Sequence, residues 1–457
     1  MKKNGRLFLR IRVTLIPMLL VTLSLITLIP ASAAAEREIP DILRVTQEIE
    51  IYETKHYQVI AYSVLHSARE DINEMIMQRV NALTEEAEPL VPPGNKRRKK
   101  PARADIFTQI TRTGDRWMSF HICAQVSADN EQKWVRSEEY TYDMETGRLI
   151  RLGDIIREDG WEKLIREVRT QAANAFQEDE ADPERLDALY NRESLAEAGF
   201  VMTPGHLALY FPAGDLYPIH EPALLRVEIY VPELREILTD EARQETDCTG
   251  YDLVALTYDD GPTKGSTWKV LNVAACHPGQ VTFFLIGKRL QKNAELVHRE
   301  FDAGHSVQSH TWQHSTKQRM IKPENVAEWE KEYNQTMGAI IGVTPVMMRP
   351  PGGYGNLYLN AGADMPIVQW SINSKDAEAQ GSGSLSFYYY SAMSAEDGDI
   401  VLFHDVRTFA PELADKCMKR FEERNVLLVT VNDLCALRGI PLEGGFILNN
   451  CPKDGEE

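Results

Sequence analysis

The chain has 457 residues, of which 43% are hydrophobic and 26% charged, and it carries a formal net charge of −18. That is a globular composition too long for one compact domain, and its acidic balance argues against nucleic acid as a partner. The six cysteines lack Cys-x-x-Cys spacing, which argues against a thiolate metal site.

In chain order, Lys2, Lys3, Arg6, Arg10 and Arg12 precede an apolar run from Val13 to Ile29, followed by Pro30-Ala31-Ser32-Ala33-Ala34-Ala35. A basic flank, an apolar stretch and small residues predict a secretory signal over residues 1–35, cleaved near Ala33 or Ala35. Left uncleaved, the same run would be a membrane tether. Cleavage takes the formal charge from −18 to about −23. Ile72, Met75, Ile76, Val80 and Leu83 then recur at helical spacing. The basic run Lys96-Arg97-Arg98-Lys99-Lys100, between Pro92-Pro93-Gly94 and Pro101, reads as an exposed loop, either merely solvated or touching anionic wall polymer or lipid headgroups. Alternating patterns predict strands over residues 105–110, 117–126 and 134–142, with turns at Thr113-Gly114-Asp115 and Glu145-Thr146-Gly147. The charged stretch from Leu234 to Asp247 reads as a linker. These features divide the chain into an α+β domain over residues 40–240, a second domain over 250–440 and a tail over 441–457.

Chemistry concentrates in the second domain. Leu253-Val254-Ala255-Leu256-Thr257 is a buried-strand pattern that ends on Asp259 and Asp260, where Gly261-Pro262 stops it. About 50 residues later comes Ser309-His310-Thr311-Trp312-Gln313-His314. If that segment is helical, His310 and His314 share a face and bind one ion with a carboxylate, leaving positions open for water and substrate. Two histidines and one aspartate suit zinc or another divalent first-row metal such as cobalt or manganese. Three further clusters follow: Met348-Arg349-Pro350-Pro351-Gly352-Gly353, Trp370-Ser371-Ile372-Asn373-Ser374-Lys375-Asp376, and Ile400-Val401-Leu402-Phe403-His404-Asp405.

Five clusters in this order resemble the five motifs of the polysaccharide deacetylases, the NodB-homology or carbohydrate esterase family 4 enzymes. The likeness covers roughly residues 250 to 440. It implies an α/β fold, a distorted (β/α) barrel of seven or eight strands with a smaller N-terminal α+β domain, and metal-dependent removal of N-acetyl groups from sugars. By that resemblance Asp260, His310 and His314 hold the metal, Asp259 is the general base and His404 the general acid. Arg349 would pair with Asp259 and fix its orientation, while Asp376 would hydrogen-bond His404 and raise its pKa. Gly352 stands where the family carries an aromatic residue whose backbone N–H helps hold the oxyanion, with Tyr354 two residues on. Leu402 would line the pocket for the acetyl methyl. Tyr258 replaces the family's phenylalanine, and the fourth motif departs most, with Asn373 and Ala377 in place of an aspartate and a tryptophan.

The N-terminal domain resembles those of RsiV-type proteins and of some peptidoglycan deacetylases. The likeness rests on Tyr142-Asp143-Met144-Glu145-Thr146-Gly147-Arg148, Leu152-Gly153-Asp154, residues 200–206, Leu209-Tyr210-Phe211-Pro212 and Tyr217. It implies a module that binds or positions wall glycan, or a spacer. The expected protein is a secreted or extracytoplasmic, cell-wall-associated N-deacetylase acting on a glycan polymer, with peptidoglycan first. Chitin or acetylated xylan is the alternative polymer, and a catalytically decayed glycan sensor the alternative class. Cys248 and Cys451 bracket the catalytic region as candidates to staple its ends, with free buried thiols as the other reading.

Overall fold

A computed structural model describes residues 7–9, 39–53, 58–94, 101–176, 179–378 and 384–452. The expected signal, apart from a strand at Leu7–Leu9, and the basic run Lys96–Lys100 lie outside the described residues.

The N-terminal sheet has seven strands in sequence order. The pairing of Gln58–Ser67 with Ala102–Arg112 is parallel, and its crossover is the helix Glu70–Ala87. That helix buries Ile72, Ile76, Val80, Leu83 and Ala87 at spacings of three and four, so its apolar stripe lies on the sheet. Trp117–Ala128 is buried at every position, which marks a central strand covered on both faces. A second core joins the helix Trp161–Asn174 to the antiparallel strands His206–Pro212 and Leu224–Tyr230. The stretch expected as a linker belongs to this core. Leu234, Ile237, Leu238 and Ala242 are buried in it, and Val231–Leu234 and Asp240–Glu245 are short helices. Helical spacing of these four apolar residues, hidden among charges, outweighs the local polarity.

From residue 253 the chain builds a parallel barrel. Leu253–Asp259 lies between Thr282–Leu285 and Ile400–His404. Ser306–Ser309 pairs outside Thr282–Leu285, and Ile372–Asn373 outside Ile400–His404. Met348 continues the sheet through single bridges to Ser309 and Ile367. A parallel sheet continued by isolated bridges is consistent with a distorted barrel, and the fold is α/β with a separate N-terminal sheet domain. The residues expected as a tail are part of it: Ile447–Leu448 pairs in parallel with Ile367–Val368. Apolar Phe446, Ile447 and Leu448 pack on the barrel core, and burial is the reason the segment docks.

Alternation along the strands sorts the side chains. Tyr258, Phe283 and Phe403 face outward and stack, with ring centroids 5.4 Å and 5.5 Å from Tyr258. Thr257, Asp259, Leu402 and His404 fall on the opposite, inner face, Thr257 opposite Leu402 and Asp259 opposite His404.

The two domains meet across a polar seam. All nine residues of the helix Ala294–Asp302 are buried, because its apolar face packs on the barrel and its charged face on the N-terminal sheet. Arg299 lies over the Phe107 ring, 3.1 Å from its centroid, and burial lowers its pKa to about 10. Side chains of the N-terminal domain also reach barrel carbonyls: Gln47 Nε2 donates to Ala275 O (2.8 Å), Gln109 Nε2 to Gly279 O (2.8 Å) and Arg226 to Phe301 O (2.6 Å).

Buried His206 meets Asp433 across this seam, Nδ1 to Oδ1 2.6 Å, with Glu228 at 3.6 Å. Burial disfavours its charged form, but Asp433 and Glu228 outweigh that and Arg226, and raise the pKa. The stability this histidine contributes is therefore full below its unfolded pKa and is lost as pH rises through the higher folded value. The urea midpoint of the parent should exceed that of His206→Gln at pH 6, and the gap should shrink steadily above neutrality. A gap that widened with pH would contradict the assignment.

Candidate active site

Three strand ends and two loops bring the residues together. Asp259 is the last residue of its strand, and Asp260 follows at φ +77, a left-handed conformation that turns its carboxylate away from its neighbour's. Gly261 is required next to it. A Cβ there would lie 2.7 Å from the Asp405 carboxylate. The helix that would set both histidines on one face does not form. Ser306–Ser309 is a strand, and His310 to His314 are a bend and loop with Thr311 at φ +61. His310 continues the inner-face alternation of that strand, and the loop folds His314 back beside it.

Asp260 Oδ1 is 3.4 Å from His310 Nε2 and 3.3 Å from His314 Nε2. Ligand atoms about 2.0–2.1 Å from a tetrahedral centre stand about 3.3–3.4 Å apart, so the trio has the spacing of one metal's donors. Two more observations fit. His310 Nδ1 donates to Arg349 O at 2.6 Å, which leaves Nε2 with its lone pair toward Asp260. Asp260 Oδ1 is a buried acceptor without a hydrogen-bond partner among the described residues. Burial raises the Asp260 pKa, but the neighbouring imidazoles, His310 first and then His314 and His404, hold it well below the usual carboxylate range. Burial in turn lowers that of His314, whose neutral form is the one that binds a metal.

Asp259 is separated from this trio by its own clamp. Arg349, fully buried, donates to Asp259 Oδ1 at 2.9 Å and Thr257 Oγ1 at 2.6 Å. Its remaining donors go to Val368 O (3.1 Å) and Gln369 O (2.7 Å), so the guanidinium is fixed on every side. Asp259 Oδ2 stays free of the clamp, 3.9 Å from His310 Nδ1. On the next strand, Asp376 accepts from His404 N (2.7 Å) and pairs with His404 Nδ1 (2.7 Å). Burial lowers the His404 pKa, but the Asp376 hydrogen bond and charge, with Asp259 and Asp260, raise it overall. Asn373 plays a different part, since its Oδ1 accepts from Lys375 N and forms a turn.

Gly352 sits at φ +67, and a Cβ on it would meet the Tyr354 ring at 3.1 Å. The glycine thus lets the half-exposed Tyr354 ring fold over its position. Leu402 is buried on the inner face of its strand, two residues before His404. Three residues escaped the sequence reading: Thr257 under Arg349, Arg289 donating to Asp260 O, and Asp405 accepting from Thr267 Oγ1. Only Thr257 and Asp405 had a signal, their places inside the first and last clusters.

Tyr258 is buried and its hydroxyl has no partner among the described residues. A buried unpaired hydroxyl destabilises. Tyr258→Phe should therefore stabilise the fold by about 1 kcal/mol, read as a higher denaturant midpoint at unchanged slope.

The family model described as polysaccharide deacetylase matches residues 246–368. The peptidoglycan-N-acetylglucosamine deacetylase PgdA of Listeria monocytogenes serotype 1/2a (strain 10403S) is 25% identical over 310 residues, covering 64% of this chain and 63% of PgdA. The chain thus spans a little under two thirds of that relative's length. A peptidoglycan-N-acetylglucosamine deacetylase of Bacillus cereus (strain ATCC 14579) is 30% identical over 210 residues, 42% of this chain and 96% of that protein. Among solved structures, a family 4 acetyl xylan esterase from Clostridium thermocellum in complex with a cobalt ion is 27% identical, with a TM-score of 0.41, covering 44% of this chain and 99% of that one.

Proposed function

This chain belongs to the polysaccharide deacetylase family, and on that premise we propose that it is an exported, metal-dependent N-deacetylase of an amino-sugar polymer, peptidoglycan first. One observation carries the reading. A clamped carboxylate, Asp259, and a histidine paired with a buried carboxylate, His404, face each other on neighbouring strands, beside a donor trio with metal spacing.

Asp260, His310 and His314 would hold the ion. A divalent ion such as zinc, cobalt or manganese supplies Lewis acidity there, polarising the acetamide carbonyl and making a water more acidic. Asp259 Oδ2, left free by the Arg349 clamp, takes the proton of the attacking water as its oxygen bonds to the carbonyl carbon. His404 gives its proton to the nitrogen as the carbon–nitrogen bond breaks, so acetate and a free amine leave. The raised pKa of His404 favours the protonated ring that this step needs. Asp376 fixes the ring so that Nε2 faces the substrate. The Gly352 N–H helps hold the oxyanion, the Tyr354 ring forms an aromatic wall for the sugar, and Leu402 receives the acetyl methyl.

Both relatives described above are named peptidoglycan-N-acetylglucosamine deacetylases, which supports peptidoglycan as the polymer and a cell-wall location. We take residues 1–35 as the signal that exports the chain, 40–240 as the accessory domain and 250–440 as the heart of the catalytic domain. The test is acetate release from peptidoglycan, chitin oligomers and acetylated xylan by residues 36–457, with and without added zinc. Release from peptidoglycan alone supports the reading, and release from chitin or xylan alone replaces the polymer. Background release from all three, with one metal bound per chain, favours a glycan-binding protein instead.

A further inference from the structure

We propose that Cys435 and Cys451 form a disulfide that pins the C-terminal segment against the strand holding Arg349. Their sulfurs lie 3.7 Å apart and both side chains are buried. A small rotation of the two side chains brings such a pair to the bonding distance of about 2.05 Å. Cys248 lines the same apolar cluster, but no contact brings its sulfur to either partner among the described residues. The staple therefore differs from the Cys248–Cys451 pairing suggested by their places at the ends of the catalytic region.

The position gives the bond a purpose. Cys435 sits on the helix Val431–Leu437, anchored in the barrel, whereas Cys451 follows the strand Ile447–Leu448 at the end of the chain. Between them the segment 446–451 makes the contacts that matter to the site. Ile367 N donates to Phe446 O at 3.1 Å and Gln369 N to Leu448 O at 2.7 Å, while Cys451 N donates to Gly398 O at 2.8 Å. Val368 O and Gln369 O are the acceptors that orient Arg349, and Arg349 orients Asp259. A strand of two residues has few ladder bonds and frays readily. A covalent link at Cys451 removes that freedom.

The chemistry is thiol–disulfide exchange with a disulfide oxidant such as oxidised glutathione. The Cys451 thiolate attacks one oxidant sulfur and expels the first thiolate, and the Cys435 thiolate then displaces the second. The chain's two thiols lose two electrons and two protons, and the oxidant leaves as two thiols. The neighbouring Cys451 sulfur and then burial push the Cys435 thiol up, and neither sulfur meets solvent in the folded chain, so the exchange occurs before the segment docks.

The experiment refolds residues 36–457 in a glutathione buffer and, separately, under full reduction. Oxidative refolding should give a mass about 2 Da lower, four alkylatable thiols instead of six and a cross-linked Cys435–Cys451 peptide. The melting temperature should rise by about 5–10 °C, as expected for closing a loop of this length. Amide exchange at Gln369 should slow at least tenfold, and Cys451→Ser should abolish both effects while Cys248→Ala retains them. Six free thiols, or a cross-link through Cys248, would overturn the assignment. A Cys435–Cys451 bond that left Gln369 exchange unchanged would overturn the bracing.

Discussion

Asp259→Asn lowers acetate release about 10²- to 10⁴-fold while bound zinc stays at the parent's level. The asparagine keeps the hydrogen bond from Arg349, since a carbonyl oxygen replaces Oδ1, so the fold and the neighbouring trio persist. What it loses is the basic oxygen that takes the water's proton. Asp260→Asn has the opposite signature, because Asp260 Oδ1 is the atom that both histidines face. Metal binding falls there, and turnover returns in part at high zinc. Equilibrium dialysis beside acetate assays separates the two. If Asp259→Asn released the metal, the division of labour between adjacent carboxylates would be wrong.

Arg349→Met destabilises the protein by about 3–5 kcal/mol and removes most activity, because it leaves the Asp259 carboxylate buried beside an apolar side chain. The loss exceeds that of an ordinary surface ion pair, since both partners are almost wholly inside. Double substitution distinguishes the causes. Asp259→Leu with Arg349→Met should recover much of the stability and none of the activity, because the uncompensated charge is gone but so is the base. Recovery of neither would mean that Arg349 matters chiefly through its bonds to Val368 O and Gln369 O.

The order of the five clusters carried the resemblance from which the barrel was expected, and the apolar strands ending at Asp259 and His404 could be read in the sequence itself. The His310–His314 spacing left the local structure open, since four residues fit a helix turn as well as a loop that doubles back. Only the left-handed Thr311 and the preceding strand decide between them. Arg289 carried no signal, for a lysine or arginine on a short helix reads as solvated charge until its donor is seen on Asp260 O. The polar face of Ala294–Asp302 was illegible for the same reason. Glu295, His298, Arg299 and Asp302 look like an exposed stripe, and only a second domain, invisible in that segment's own pattern, covers them. Asp376 was named only through the resemblance of the fourth cluster, and its carboxylate lies on His404 Nδ1.

The seam between the domains has an asymmetry of its own. On the N-terminal side the recognising groups are particular side chains, Gln47, Gln109 and Arg226, while on the barrel side the acceptors are main-chain oxygens of Ala274, Ala275, Gly279, Phe301 and His305. Every residue type offers the same carbonyl. At these contacts the N-terminal domain therefore senses the path of the barrel's backbone, whereas His206 with Asp433, Gln125 with Asp302 and Arg112 with Asn425 join side chain to side chain. A change of side chain at Ala274 or Ala275 keeps the carbonyl, although Gly279, at φ +128, leaves no room for a Cβ, whereas a single change at Gln109 removes two acceptors' partner at once. Along the seam the constraint thus falls unevenly, on Gln47, Gln109 and Arg226 where the barrel offers main-chain oxygens, and on both partners where Asp433, Asp302 and Asn425 are met by side chains.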